Sequence, residues 1–283
     1  MIVHEQARRA EAFRQRHHRA PLLVLPNAWD ALSARLFLAA GFEAVATTSG
    51  GLAWSLGYPD GEQAPWEAVV AATARIVRVA GAAPVTADIE AGYADTPAAL
   101  MRSVAEIIGT GVVGINLEDG VPGDHAAPLR PLPAAAERIG AAREAARRAG
   151  VPIVINARTD LYLRPGADEA ARFAETLARG KAYLAAGADC VYPIGLTDPA
   201  TIGHLVQALA APVNIILRPG APAVAVLAQL GVARASTATS LTLAAMAAIR
   251  ASAEALREGG RIAPPAGMPT HADAQRLFAR AAG

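Results

Sequence analysis

The chain has 283 residues, of which 53% are hydrophobic and 18% are charged, and its formal net charge is +1. This length suits one large domain, the apolar fraction can fill a large buried core, and the near-neutral charge gives no support for a nucleic-acid or anionic-membrane partner. The single cysteine, Cys190, excludes an internal disulfide framework and a metal site built from several cysteines.

The first twenty residues, MIVHEQARRAEAFRQRHHRA, are polar and have the character of a helix. They lack the apolar stretch of a signal peptide, and their two glutamates argue against a transit peptide despite the arginines and adjacent histidines. No apolar run approaches the roughly 20 residues of a membrane span. We therefore expect a solvated first helix and a cytoplasmic protein.

Short β-branched runs then alternate with longer alanine-rich stretches, in which apolar residues recur at helical spacing. Strands are predicted at Leu22–Leu25, Ala44–Thr47, Pro84–Ala87, Val113–Leu117, Ile153–Ala157, Cys190–Tyr192, Val213–Leu217 and Ala233–Ser236. Helices are predicted at Trp66–Val79, Pro97–Ile108, Ala134–Ala149, Asp168–Ala186 and Pro199–Leu209. Nearly continuous apolar strands are typical of a parallel sheet that is covered on both faces.

A glycine stands between helix and strand in fragments such as AAGFEAV, RAGVPIV and AAGADCV, where it ends the helix. Eight strand–helix units close most naturally into a (β/α)8 barrel, or TIM barrel. The alternative is an open doubly wound sheet, which lacks its usual G-x-G-x-x-G sequence here. We predict one barrel domain over residues 1–283, with 1–20 as an N-terminal helix and 259–283 as a C-terminal tail.

Acidic side chains follow several predicted strands, where a barrel of this type carries its active site. Asp60 lies in the loop after the second strand, Asp88 and Glu90 follow the third, and Glu118 follows the fourth. We refer to these four residues as the acidic rim. Carboxylates packed together raise one another's pKa, and a bound cation removes that conflict.

Oxygen ligands without a cysteine or histidine cluster suit a hard ion such as Mg2+, with Mn2+ as the second candidate. Because Mg2+ usually keeps several waters, we predict Asp88 as its direct protein ligand. Asp60, Glu90 and Glu118 are then predicted to hold the metal-bound waters. The alternative is that some of these acids pair with Arg158 or cap the following helices.

A small turn after the second strand, Ser49-Gly50-Gly51, lets backbone N–H groups approach an anion closely. Arg158 carries a planar guanidinium group that binds a carboxylate through two hydrogen bonds, or forms a structural ion pair with an acid of the rim. The other strand-end side chains predicted to contact a substrate are Asn116, Asn156, Tyr192 and Asn214.

Six fragments together resemble the isocitrate lyase/phosphoenolpyruvate mutase family, namely PNAWDALSA, TTSGGLAWSLGYPDGE, VTADIEAGY, GINLEDG, NARTD and ADCVYPIG. They occur in family order, and the closest likeness is to the bacterial branch with the PNAWD sequence. The resemblance implies a Mg2+-dependent lyase that acts on a small 2-oxo or 2-hydroxy (di)carboxylate. The intermediate that it implies resembles an enolate held on the metal.

The same resemblance gives the acidic rim its metal-binding roles and assigns the substrate carboxylate to Ser49, Gly50 and Gly51. It places Trp29 at the wall of the pocket and implies that Arg158 steadies the reacting group. It also implies a homo-oligomer, a dimer of dimers that exchanges terminal helices. The exchanged helix would be Thr239–Leu256.

The loop after the fourth strand departs from the family's pattern. Isocitrate and methylisocitrate lyases carry K-K-C-G-H or K-R-C-G-H there, with the cysteine as acid/base, whereas this chain has VPGDHAAPLRPL at Val121–Leu132. The Lys- and Asn-bearing loop of the mutases is also missing. We therefore expect that the chain is not a true isocitrate lyase, and not a methylisocitrate lyase either. His125 is the candidate acid/base beside Arg158 and Glu118, or else a solvated loop histidine.

Lys181 is the only lysine and falls in the helix before the sixth strand, so an imine formed inside the barrel is not expected. Two alternatives to the lyase stay open. One is P–C bond chemistry of the phosphoenolpyruvate mutase or phosphonopyruvate hydrolase kind. The other is a barrel that binds a carboxylate without catalysis.

Overall fold

The computed structural model describes residues 2–124, 126–164, 168–260 and 267–279, and a ring of parallel strands lies at its centre. The strands are β1 (Leu23–Leu25), β2 (Asn27–Ala28), β3 (Val45–Thr47), β4 (Val85–Asp88), β5 (Gly114–Glu118), β6 (Val154–Thr159), β7 (Cys190–Pro193), β8 (Asn214–Ile216) and β9 (Arg234–Ser236). β1 and β2 are two parts of one barrel strand, which Pro26 interrupts.

The helices surround this ring and follow its strands along the chain. They are α1 (Ile2–Arg16), α2 (Ala31–Ala39), α3 (Ser49–Ser55), α4 (Trp66–Ala80), α5 (Pro97–Gly109), α6 (Leu132–Ala149), α7 (Glu169–Ala185), α8 (Pro199–Leu209), α9 (Val224–Gln229), α10 (Ser240–Arg257) and α11 (His271–Ala279). Within the described ranges, none of these helices has the length and apolar character needed to cross a bilayer.

The ring closes between its first and last strands. β1 pairs with β9 in the register Leu23–Arg234, while β2 pairs with β3. β8 pairs with β9, and a bridge between Val191 and Val213 joins β8 to β7. The predicted barrel is therefore confirmed, and the open doubly wound sheet is wrong. The predicted strand and helix bounds agree with the structure to within one or two residues.

Local side-chain chemistry explains where several helices begin and end. Asp30 and Ser33 form a capping box at the start of α2, and Thr96 accepts a hydrogen bond from the Ala99 N–H at the start of α5. At the end of α6, Gly150 adopts a left-handed conformation with φ of 68°, which glycine tolerates best.

Asn27 links the first strand to both of its neighbours. Its Oδ1 accepts hydrogen bonds from the Thr237 and Ala238 N–H groups at 2.9 and 3.0 Å, and its Nδ2 donates to the Thr47 carbonyl at 2.6 Å. The Asn27 side chain therefore links the first strand to the backbone that follows β9, where the barrel closes.

Strand residues face outward and inward alternately. The outward residues, such as Ile115 and Leu117, form the main apolar core with helix residues such as Leu100. Many of the inward residues are polar and buried. We call five of them the inner polar layer, and they are Asn116, Asn156, Asn214, Arg234 and Ser236.

Helix α1 buries one of its faces, so the expectation of a solvated helix is only partly met. Gln6, Ala10, Phe13 and His17 recur at helical spacing and are buried. Gln6 Nε2 donates to the Ile108 and Val112 carbonyls, both at 2.8 Å, near the start of β5. The helix therefore covers the end of the barrel opposite to the acidic rim.

Acidification is expected to destabilise the protein through His17. Burial, and after it the charge of Arg234, lowers the pKa of His17 from 6.5 to about 3. Between these values the unfolded chain binds a proton that the folded chain excludes. The free energy of unfolding therefore falls by up to about 1.4 kcal/mol per pH unit below 6.5, and this group has no effect on it above that pH.

Urea unfolding at pH 7 and pH 5 measures this loss. His17→Gln should remove its share of the pH dependence, whereas His204→Gln, at an exposed position on α8, should leave the dependence unchanged. An equal pH dependence in the wild type and the His17→Gln variant would contradict this assignment.

Candidate active site

Asp88 lies at the mouth of the barrel, where β4 ends. The Thr47 hydroxyl accepts a hydrogen bond from its N–H at 2.8 Å, and the Ser49 N–H lies 3.5 Å from its Oδ2. Asp60 comes to the same place from its loop, because a Cβ added to Gly50 would lie 3.0 Å from Asp60 Oδ2. The structure therefore brings these two carboxylates and the Ser49-Gly50-Gly51 turn together.

Glu90 is buried beside Glu62, a second glutamate, which the sequence placed in the loop with Asp60 but to which it assigned no role. Glu90 Oε2 accepts a hydrogen bond from the Glu62 N–H at 2.9 Å, and Glu62 Oε1 accepts one from the Tyr93 N–H at 2.7 Å. The Tyr93 hydroxyl also donates to Glu90 Oε1 at 3.1 Å. The D-G-E sequence at 60–62 was the only signal that could have indicated Glu62.

All three residues of this group have positive φ angles, which are 57° for Glu62, 52° for Glu90 and 51° for Tyr93. Non-glycine residues adopt this conformation at an energetic cost, and such strain is concentrated at functional sites. Sequence patterns do not report it, because each of these residues is ordinary in a loop. The strained backbone indicates that the position of the Glu90 carboxyl is determined by the surrounding structure.

Burial is the main reason why three of the rim carboxyls, those of Asp88, Glu90 and Glu118, have raised pKa values. Burial, followed by the charges of Asp60 and Asp88, raises the pKa of Glu90 to about 8. Burial and Asp60 also raise the pKa of Asp88, against the opposing effect of Arg158. The pKa of Glu118 lies well above its ordinary value, since desolvation outweighs its ion pair with Arg158. The group therefore disfavours full ionisation in the absence of a cation.

Arg158 is held by two acids at once. Its Nη1 lies 2.7 Å from Glu118 Oε2, while its Nε and Nη2 donate to the two carboxylate oxygens of Asp160 at 2.6 and 3.0 Å. The sequence predicted that Arg158 either binds the substrate carboxylate or forms a structural ion pair with an acid of the rim. The ion pair with a rim acid is present, and binding of a substrate by Arg158 stays a prediction.

Three of the predicted substrate-binding side chains on β5 to β8 bind other buried side chains inside the barrel. Asn156 Nδ2 donates to Asn116 Oδ1 at 2.8 Å, and Asn214 Nδ2 donates to the Ser236 hydroxyl at 3.1 Å. Tyr192 is 3% exposed and occupies the register position beside Arg158. A substrate role for these residues stays a prediction.

Gly51 allows three elements to meet behind the turn. A Cβ at this position would lie 2.6 Å from Thr242 Oγ1, 2.7 Å from Thr48 Cγ2 and 2.9 Å from the Cβ of Trp29. Trp29, the predicted pocket wall, is partly exposed and packs edge-on against Phe37 with ring centroids 6.1 Å apart. The start of α10, which carries Thr242, therefore rests on the turn itself.

Hydrogen bonds hold together the two ends of the atypical loop Val121–Leu132. The Arg130 N–H donates to the Asp119 carbonyl at 3.0 Å, and Arg179 Nη1 donates to the Arg130 carbonyl at 3.0 Å. Asp119 Oδ2 also accepts a hydrogen bond from the Tyr183 hydroxyl at 2.6 Å. These contacts join the two ends of the loop to each other and to α7.

The tip of this loop reaches the loop that carries Asp60. A Cβ on Gly61 would lie 2.5 Å from Gly123 Cα, so the two backbones are in close contact. Asp124 Oδ1 accepts hydrogen bonds from the Ala126 and Ala127 N–H groups at 2.8 and 3.0 Å. His125, the candidate acid/base, lies outside the described residues, and its role stays a prediction.

Two other reactive side chains lie away from the mouth of the barrel. Cys190 is fully buried, and burial raises the pKa of its thiol to about 12, so it is a poor acid/base at neutral pH. Lys181 is exposed on α7, outside the barrel, which agrees with the expectation that it forms no imine there.

The carboxyls of the acidic rim suit a hydrated metal ion better than one that is enclosed by the protein. Among the described residues, no three Asp, Glu, His or Cys side chains are arranged to enclose an ion directly. The donor set does fit an ion that keeps most of its waters, because desolvated carboxylates converge around Asp88. Such an ion would also relieve the repulsion that raises the pKa of Glu90.

Substitution of Gly51 by alanine is expected to destabilise the protein, because the added methyl group overlaps atoms of three elements. Overpacking of this kind costs about 1–3 kcal/mol, and thermal melting should detect it. Gly109→Ala is the matched control, since nothing lies within 4 Å of a Cβ there and the residue ends α5. A Gly51→Ala protein that melts like the Gly109→Ala protein would contradict the packing of α10 on the turn.

Comparison with known proteins places this geometry in a family. The sequence model of phosphoenolpyruvate phosphomutase matches residues 13–257. An uncharacterised protein of Mycobacterium tuberculosis is 36% identical over 252 residues, which are 89% of this chain and 91% of that protein. Oxaloacetate decarboxylase 1 of Pseudomonas fluorescens is 31% identical over 243 residues, which are 83% and 79% of the two chains.

Among solved structures, a Burkholderia cenocepacia protein described as a lyase/mutase is 38% identical and superposes with a TM-score of 0.88 over 97% of both chains. The long sequence match and the barrel agree with each other. The chain belongs to the phosphoenolpyruvate phosphomutase family, in the isocitrate lyase/phosphoenolpyruvate mutase superfamily of lyases and mutases that act on small carboxylates, and it is not a true isocitrate lyase.

Proposed function

We propose that this protein is a lyase that uses Mg2+, or Mn2+ in its place, and acts on a small 2-oxo or 2-hydroxy acid. The observation that carries the proposal is the acidic rim. Its members Asp88, Glu90 and Glu118 are desolvated and have raised pKa values, and the turn Ser49–Gly51 stands beside Asp88. Such an arrangement suits a divalent cation at the carboxyls and a carboxylate at the turn beside them.

In this proposal Asp88 is the direct protein ligand, and Asp60, Glu90 and Glu118 bind the waters of the ion. Asp88 suits the inner position because it is partly exposed at the mouth and lies next to the turn. When bound, the ion supplies positive charge that polarises a keto oxygen and stabilises negative charge there. Glu62 and Tyr93 keep the Glu90 carboxyl in place through their hydrogen bonds.

The chain's own residues would orient the substrate. The backbone N–H groups of Ser49, Gly50 and Gly51 are at the first turn of α3, where N–H groups lack partners within the helix and favour an anion. Arg158 is rigid because Glu118 and Asp160 fix its guanidinium group. A fixed donor needs no rearrangement as negative charge develops on the substrate.

The proton transfer that completes the reaction is assigned to the loop Val121–Leu132. The contact between Gly123 of this loop and Gly61 brings the described part of the loop next to the segment that carries Asp60. We propose His125 as the acid/base, since imidazole exchanges protons near neutral pH. The relation to oxaloacetate decarboxylase 1 favours a small 2-oxo dicarboxylate as substrate.

Two other functions are compatible with the same rim. The family match favours P–C bond chemistry as the first alternative. The second is a barrel that binds a carboxylate without catalysis, and it is motivated by the absence of a cysteine from the loop. Both share the metal and carboxylate sites, so only product formation separates them from the lyase.

A melting experiment tests the metal and carboxylate sites. Mg2+ with oxalate, at about 100 times the dissociation constant, should stabilise the wild type by about 2.7 kcal/mol. Asp88→Asn should lose this gain. Without ligands it should melt no lower than the wild type, because it removes a desolvated acid. Asp95→Asn, at an exposed acid of the next loop, should behave as the wild type does. An equal ligand-induced gain in the Asp88→Asn variant would rule out the site.

A substrate panel tests the reaction. Pyruvate and glyoxylate formation from 2-oxo, 2-hydroxy and phosphono acids would be measured for the wild type with Mg2+ and with excess chelator. The lyase proposal expects turnover of a 2-oxo or 2-hydroxy acid that the chelator abolishes. Turnover of the phosphono acids alone would favour P–C chemistry. Oxalate binding without any turnover would favour the non-catalytic barrel.

We also propose that α10 is exchanged between subunits of a homo-oligomer, a dimer of dimers. Only Thr242 of this 18-residue helix is buried. Large apolar side chains on it stay exposed within one chain, among them Ile249 at 69% and Leu256 at 55%. An exposed apolar stripe of this length marks an interaction surface.

A double variant tests this assembly. Met246→Glu with Ile249→Glu places charge on the apolar stripe, so sedimentation should change from an oligomer to a monomer. Arg250→Glu alters charge on the same helix without removing an apolar group and should keep the wild-type mass. A double variant with the oligomeric mass, or a monomeric wild type, would contradict the exchange.

A further inference from the structure

Arg234 crosses the inside of the barrel. It lies on β9, is completely buried, and its Nη2 donates to Asn116 Oδ1 on β5 at 3.2 Å. Around the ring, β5 and β9 stand on opposite sides, since three barrel strands lie between them in either direction when β1 and β2 are taken as one strand. The guanidinium group therefore occupies the barrel interior, in the inner polar layer.

This cation has no carboxylate partner among the described residues. Its hydrogen-bond partner is a neutral amide, and its Nε and Nη1 have no partner in that part of the chain. Cys190 and Tyr192 lie near it, but burial raises the pKa of both, so they are neutral at pH 7. The carboxylate that acts on Arg234 is Asp88, the proposed metal ligand.

Such an arrangement destabilises the folded protein, because burial of an unpaired charge costs free energy. Buried charges are therefore usually paired with an opposite charge. Barrel interiors are ordinarily filled by branched aliphatic side chains, which would avoid that cost. A guanidinium group also stays protonated in proteins, so deprotonation does not relieve it. A permanent positive charge below the acidic rim therefore needs a reason other than packing.

We propose that Arg234 sets the ligand preference of the mouth of the barrel through its charge, favouring a dianionic substrate and opposing the divalent ion. This inference rests on the proposed function, since it takes Asp88 as the metal ligand. Arg234 has no access to the solvent-filled mouth, and it acts through the low-dielectric interior, where charges interact more strongly than in water. The hydrogen bonds among Asn116, Asn156 and Arg234 fix its position.

The effect on the two ligands has opposite signs, and this separates a charge effect from a loss of structure. Removing the cation should tighten binding of a divalent ion, because like charges no longer repel. It should weaken binding of oxalate to the ion-loaded protein, because an attraction is lost. A purely structural role would weaken both ligands together.

The experiment uses Mn2+ and oxalate as probes, with the full-length chain. Free Mn2+ is followed by electron paramagnetic resonance, and oxalate binding at saturating Mn2+ is followed by calorimetry. In Arg234→Met, we expect the Mn2+ dissociation constant to fall about tenfold and the oxalate constant to rise about tenfold, each corresponding to about 1.4 kcal/mol. Arg234→Lys keeps the charge and should keep both constants close to those of the wild type.

Arg234→Gln is the second neutral variant, in case the methionine variant does not fold, because its amide can still bind Asn116. Unchanged constants in a folded neutral variant would mean that the charge is already neutralised inside the barrel, and they would overturn the inference. Weakening of both ligands would overturn it as well. Absence of Mn2+ or oxalate binding in the wild type would instead contradict the proposed function.

Discussion

The burial of several carboxylates close together at the mouth of the barrel is the constraint on which the rest of the site depends. Burial removes the water that would otherwise screen Asp88, Glu90 and Glu118, so the chain alone disfavours their ionisation together. Positively charged or hydrogen-bonding groups in fixed positions surround these carboxyls and stabilise them. Arg158 balances Glu118, and the strained segment around Glu62 and Tyr93 holds Glu90. The cation that we propose at Asp88 would complete the same balance.

The fold could be predicted because its signals are local. Apolar strand runs, helical spacing and glycines at helix ends each involve a few neighbouring residues, and closure follows from having eight such units. The convergence of Asp60 with Asp88 was also predictable, since residues that follow parallel strands meet at one end of the barrel. Pro26 divides the first strand, which the apolar run from Leu22 did not indicate.

The partners of the inward side chains could not be predicted, because they depend on contacts across the ring. The link from Asn27 to Thr237 joins residues 210 positions apart, and the link from Arg234 to Asn116 joins residues 118 apart. Because residues two apart on a strand share a face, the sequence ARAS at 233–236 places Arg234 on the same face as Ser236. This pattern indicates that Arg234 faces the barrel interior if Ser236 does. No spacing rule indicates that its partner is an amide.

The root of the loop Val121–Leu132 gives this barrel an evolutionary freedom. Asp119 and Arg130 are bound to each other and to Arg179, so the segment between them can change in sequence without disturbing β5 or α6. The acidic rim and the segment that we propose as the source of the proton can therefore change independently of each other. A barrel built in this way could acquire a new reaction through changes in one short loop while the acidic rim stays the same.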